Sequence, residues 1–284
     1  MSTIETLASG LNFTEGPRPD GKGNMYFTDV FGRGLYRLNA DGSCDTLGPE
    51  RQSSGGCVLH RDGGVIYSAR DGLALYDPAT DKVTPIPVTI DGQPITGIND
   101  IEADAQGNLW GGTLDHDALE KGEPLSPGMI FRLACDGTAR QQGEAIIPNG
   151  MEFSRNGKIL YFSASGEGVL AYDVAPDGTL SGKRMAAGPL PDSDGIVLDV
   201  AGGIWVARYM ANTLVHFTAD GEADITVETP FANVASVAFG GDDLRTLYIA
   251  GGSLSETGTG GLLAMRVDIA GHPPREAAIS LPES

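Results

Sequence analysis

ADAQGNLWGGT, residues 103–113, is a turn rich in Asp, Gly and Asn that runs into a short strand carrying one large aromatic, Trp110. The same pattern recurs as PDGKGNMYFTD at 19–29, HRDGGVIYSA at 60–69, SRNGKILYFSA at 154–164, DVAGGIWVAR at 199–208 and GGDDLRTLYIA at 240–250. The aromatic anchors Tyr26, Tyr67, Trp110, Tyr161, Trp205 and Tyr248 are separated by 41, 43, 51, 44 and 43 residues. An alternating strand ending in an Asp-Gly type of turn follows each anchor, for example GLYRLNADG at 34–42 and TLVHFTADG at 213–221. A hairpin-rich unit of this length cannot bury both its faces alone, whereas six stacked radially bury one another. The period suits one four-stranded blade. The expected fold is all-β, a six-bladed β-propeller of four-stranded antiparallel blades, with residues 1–284 as a single domain.

Two segments compete to close the ring. Thr3 to Ser9 resembles the outer strands that precede later inner strands, and Glu276 to Leu281 is the alternative. The longest irregular stretch, LDHDALEKGEPLSPG at 114–128, falls where the third blade's strands connect. Loops of this composition run over the surface and often form the rim of a site.

Composition narrows the function classes. The chain has 284 residues, 41 of them glycine, 40% hydrophobic content and a net charge of −19, which disfavours nucleic acid and anionic membranes as partners. Cys44, Cys57 and Cys135 form no CxxC pair, and their odd number argues against a disulfide framework. The N-terminal MSTIETLASGLNF has neither a basic n-region nor an apolar h-region, and no apolar run approaches a membrane span. A soluble, cytoplasmic protein acting on a small-molecule substrate is expected. Nothing in the pattern specifies an oligomeric state.

Polar residues recur at one place in the repeat. Eleven or twelve residues before each anchor stand Glu15, the Ser54-Gly55-Gly56 segment, Asn99, Asn149, Asp194 and Ser236 or Val237. Equivalent positions on innermost strands form a ring around the axis. Asn, Asp and Gly also mark ordinary turns, but glutamate does not. Two carboxylates and two amides, with no thiolate, make a hard oxygen-donor set suited to Ca²⁺ or another hard divalent ion. Without a cation the carboxylates would repel. Asp100 stands next to Asn99 and could support it.

The motifs EGP at 15–17, IND at 98–100, D-x-x-G-x-x-x-x-G-T at 104–113, PNG at 148–150 and SDG at 193–195 resemble those of the senescence marker protein / gluconolactonase / luciferin-regenerating enzyme family. The resemblance spans nearly the whole chain. It implies that Glu15, Asn149 and Asp194 bind one divalent metal ion, Ca²⁺ first, with Zn²⁺, Mn²⁺ or Fe²⁺ as alternatives. It places Asn99 beside metal and substrate, and Asp117 at substrate, with Asp115 and His116 as neighbours. Sugar-lactone members often carry an arginine where this chain has Gly97, which points to a less charged pocket; Arg18 and Arg208 are the candidates to replace it. The implied activity is metal-dependent opening of a lactone, with Asp194 as base and Asn99 stabilising the carbonyl oxygen. Phosphotriester hydrolysis on the same centre, or a non-catalytic calcium-binding or partner-binding propeller, are the alternatives. No G-x-S-x-G elbow is present. Of the four histidines only His116 lies in a rim loop; His60, His216 and His272 read as structural or exposed.

Overall fold

The computed structural model describes residues 3–281. Six four-stranded antiparallel sheets stand as the blades of a propeller. The innermost strands are Thr14–Pro19, Cys57–Leu59, Ile98–Ala103, Pro148–Phe153, Ser193–Leu198 and Asn233–Gly240. Each packs against the innermost strands of both neighbouring blades, and the last packs against the first.

The repeat is explained by how the blades bury their faces. Strand alternation sends Val65 and Tyr67 toward Tyr26 and Leu35 of the first blade, while Ile66 between them joins Ile98 and Phe131 of the third. Trp110, Trp205, Tyr161 and Tyr248 each pack into the apolar cluster of the blade that follows. These anchors, and Tyr26 with them, glue their blade to the next, whereas Tyr67 packs back on the blade before it; losing one would open a seam between two sheets. The widest spacing, between Trp110 and Tyr161, contains the helix α1, His116–Lys121. Asp115 caps it by accepting from Ala118 N at 3.0 Å, and Gly122 ends it at φ 65°.

Closure is decided by the N-terminal candidate. Glu5–Leu11 pairs antiparallel with Gly260–Arg266 and becomes the outermost strand of the sixth blade. Leu7, Ala8 and Leu11 pack on a cluster shared by the first and last blades, with Phe27, Tyr36 and Leu262. The backbones approach so closely that a Cβ at Gly252 would lie 1.9 Å from the Asn12 carbonyl oxygen, and one at Gly261 2.0 Å from that of Ala8. Thr14 Oγ donates to Gly261 O at 2.5 Å and accepts from Gly251 N at 3.0 Å, stitching the same seam.

The C-terminal candidate serves another purpose. It runs beneath the propeller, at the end where the innermost strands finish. Ala277 N donates to Leu59 O at 2.8 Å, Ala278 N to Gly107 O at 2.7 Å and Ser280 N to Cys135 O at 2.8 Å. Ala277 and Ile279 are buried there, and His60 Nε2 meets Ile279 O at 3.0 Å. His216 is likewise structural, lying between Asp199 and Asp224 at 3.1 and 2.6 Å. All three cysteines are free; Cys57 is buried, and burial pushes its thiol up to about 12. Among the described residues no helix is long and apolar enough to cross a membrane.

Candidate active site

Five of the innermost strands begin with an irregularity in their pairing: one between Val234 and Ser236, and four between Glu15 and Arg18, Ile98 and Ile101, Pro148 and Met151, and Ser193 and Ile196. Bulges re-aim side chains and break a ladder locally. Here the latter four fall on Glu15, Asn99, Asn149 and Asp194, and turn all four onto the wall of one cavity. The glycines that follow have a packing cause. A Cβ on Gly150 would sit 2.7 Å from Asp194 O, and one on Gly195 2.6 Å from Ser236 Cα. The strands meet too closely near the axis for side chains at that level. In the third blade the level is held by Asp100, whose carboxylate stands in a constriction with Gly16, Gly56, Gly150, Gly195 and Ser236.

Glu15, Asp100, Asn149 and Asp194 are all buried. Burial, then Asp100 and Asp29, hold Glu15 well above the usual carboxylate range. Burial, then Glu15 and Asp100, do the same to Asp194. Every influence on these two groups opposes ionisation. Asp100 is pushed up to about 6 by burial, with Arg18 pulling it down and Glu102 raising it. Asn149 is held by Nδ2 donating to Ser165 Oγ and Ser193 O, each at 3.2 Å, and its Oδ1 accepts from Asn99 Nδ2 at 3.0 Å. Asn99 Nδ2 also reaches Pro148 O at 3.1 Å.

This donor set fits a hard divalent cation. Two buried carboxylates that nothing on the protein neutralises stand with amide oxygens at the floor of one cavity, the arrangement that a positive ion relieves. Among the described residues no group of three or more His, Cys, Asp or Glu side chains is disposed to hold a metal.

The other sequence candidates are dispersed. His116 lines the cavity and is buried, and its Nε2 has no hydrogen-bond partner. Burial, then the charge of Arg70, lower its pKa, so the ring is neutral at pH 7. Asp117 sits on the exposed side of α1, paired with Arg70, which also holds Glu120 at 2.8 Å. Arg208 is bound to Asp192 at 3.0 Å. Arg18 lies inside the channel, its Nε on Cys57 O at 2.7 Å and its Nη2 on Glu102 at 2.5 Å. Phe31, Leu119, Ile147, Tyr209 and Leu254 also line the cavity. Leu119 lies on α1, within the irregular 114–128 stretch, and the others sit on loops outside the repeat, where periodicity carries no information.

Two consequences are measurable. Replacing Arg18 by Met leaves Glu102 as an unpaired buried charge, an effect of about 3–5 kcal/mol. The thermal midpoint should fall by on the order of 10 °C, and Arg18→Met combined with Glu102→Met should recover most of it. The pH dependence follows from the buried acids. Glu152 is pushed up to about 7 by burial and Glu102, and Asp100, Glu15 and Asp194 are also raised. A raised acid keeps its proton in the folded state after the unfolded chain has lost it, so stability falls as pH rises through that window. In chelator, the midpoint should be higher at pH 5.5 than at pH 8.

Residues 13–253 match the model of the SMP-30/Gluconolactonase/LRE-like region. The match covers most of the six-bladed propeller, and the chain belongs to this family. It is 30% identical over 264 residues to pentonolactonase XacC of Haloferax volcanii, covering 89% of this chain and 86% of the relative. It is 30% identical over 234 residues to 6-deoxy-6-sulfogluconolactonase of Pseudomonas putida, covering 79% and 78%. In fold it is similar to a luciferin-regenerating enzyme, with TM-score 0.82, 20% identity and coverage of 98% and 100%. A calcium-binding regucalcin of Agrobacterium tumefaciens gives TM-score 0.83, 21% identity and 97% coverage of each chain.

Proposed function

We propose that this chain is a metal-dependent lactone hydrolase, with Glu15, Asn149 and Asp194 as ligands of one divalent ion. The observation that carries the reading is the convergence of Glu15, Asn99, Asn149 and Asp194, from four separate blades, on one cavity. Relatives named as lactonases across most of the chain support it. A Ca²⁺ ion, or another hard divalent ion on the same oxygens, would polarise the lactone carbonyl as a Lewis acid. Asn99 lines the same cavity, and its Nδ2 would stabilise the charge that grows on the carbonyl oxygen by exchanging its bond to Pro148 O for one to that oxygen. Asp194 takes a proton from the attacking water. Burial and the neighbouring Glu15 oppose ionisation of Asp194 in the metal-free chain, and a bound ion would keep it ionised and so able to accept that proton. Water adds to the carbonyl carbon, the ring carbon–oxygen bond breaks, and the departing alkoxide takes the proton that Asp194 received, giving a hydroxy acid and restoring the carboxylate.

The test is to strip the protein with chelator, restore ions singly and follow acid release from a panel of lactones. Ion-dependent release that is lost in Glu15→Gln supports the proposal. Stoichiometric ion binding with no release from any lactone overturns it. Thermal unfolding gives an independent check. Ca²⁺ competes with protons for the raised carboxylates, so it should raise the midpoint by more at pH 8 than at pH 5.5.

A further inference from the structure

The wall of the cavity above the carboxylates has a different chemistry from its floor. Phe31, from the first blade, Leu119, on α1, and Leu254, from the sixth, line it while remaining 54%, 47% and 45% exposed. Large apolar side chains arranged around one opening, each half in water, are surface that an apolar ligand would cover. Ile147 joins them from the position just before Pro148 and Asn149, at φ 44°. A β-branched residue in that left-handed region is strained and persists only where its surroundings hold it.

The charged groups that would read sugar hydroxyls are paired off elsewhere. Arg70 is taken by Asp117 and Glu120, Arg208 by Asp192, and Arg18 by Glu102 within the channel. Gly97 cannot regain a long side chain, because it lies at φ 64° and a Cβ there would stand 2.5 Å from Leu114 O. The neutral His116, with its unpartnered Nε2, can satisfy one polar group of a ligand but not a ring of hydroxyls. A site that selects hydroxyls does so with buried polar partners; on this wall His116 is buried, while Ser53 and Tyr209 are half-buried and Glu120 is exposed and held by Arg70.

We propose that the lactone opened here carries an apolar substituent, such as an alkyl chain, seated against Phe31, Leu119, Ile147 and Leu254. The cavity encloses about 190 Å³, space for a lactone ring and a short chain. This inference rests on the lactonase reading, and its test separates the two.

The whole protein, loaded with the ion that gives most acid release, is assayed on γ-butyrolactone, γ-hexalactone and γ-nonalactone, and on arabinono- and xylono-1,4-lactone. The expected kcat/KM rises along the alkyl series by up to about fourfold per methylene until the cavity fills, and exceeds that for both sugar lactones. Phe31→Ser and Leu254→Ser should flatten this slope. Sugar lactones opened faster than the alkyl series, or an alkyl series with no slope, would overturn the inference while leaving a lactonase. Acid release from neither class would overturn both readings.

Discussion

Asp194→Asn should yield a folded protein that opens lactones about 10³-fold more slowly or worse, yet melts several degrees higher in chelator than the parent chain. The two halves of this result come from one cause. Asp194 is buried, and burial, Glu15 and Asp100 all oppose its ionisation. At pH 8 these influences oppose the charge in the folded state, while the unfolded chain carries it freely in water. Asparagine has nearly the same shape and carries no charge, so the folded state gains. On the proposed mechanism it cannot accept the proton of the attacking water and is a weaker ligand for the ion, so turnover falls. Stability stored against function in this way is common at active sites. A merely structural Asp194 predicts the opposite sign for stability. Steady-state rates and thermal unfolding with and without Ca²⁺ read both halves. Turnover within tenfold of the parent would move the proton acceptor to another group.

Removing residues 3–11 should abolish the folded propeller. Glu5–Leu11 supplies only one strand, much of it exposed, but it is the strand that closes the ring. Without it Gly260–Arg266 becomes an open edge, with unpaired N–H and C=O groups along its length. Leu262 and the cluster joining the first and last blades lose the cover of Leu7, Ala8 and Leu11. The first blade would then have to hold the sixth through Phe13, Thr14 and the innermost strands alone. Truncated protein should accumulate as aggregate, and any soluble fraction should unfold at a much lower urea concentration. A truncated chain with the parent's urea midpoint would show that the seam holds without this strand. Gly261→Val tests the same seam without shortening the chain. Its Cβ has no room beside Ala8 O, so the N-terminal strand must lift from the sheet.

The repeat was legible because stacking blades impose the same demand six times. Each copy needs a turn with glycine or asparagine, an alternating strand and a large residue to fill the gap to a neighbouring blade. Trp110 and Trp205 could therefore be placed from spacing alone. Glu15, Asn99, Asn149 and Asp194 were legible for the same reason, since equivalent places on innermost strands must approach the axis. Arg18 shows the limit. Its position three residues after Glu15 suggested the site, but the strand carries it down the channel, where Glu102 and Cys57 O bind it. Asp117 had the right place in the chain, but the turn of α1 carries its carboxylate out to Arg70.

Sequence by itself therefore determined the all-β class, the six blades, and which residues open each innermost strand, because short-range turn chemistry and strand alternation act within a few dozen residues. Tertiary structure alone decided which terminus closes the ring, since both candidates read as strands and only the close approach of Asn12 and Ala8 to Gly252, Gly260 and Gly261 selects one. It also decided the character of the cavity wall. Phe31, Ile147 and Leu254, on loops, and Leu119, on α1, lie far apart in the chain, and only closure of the ring sets them around a single opening.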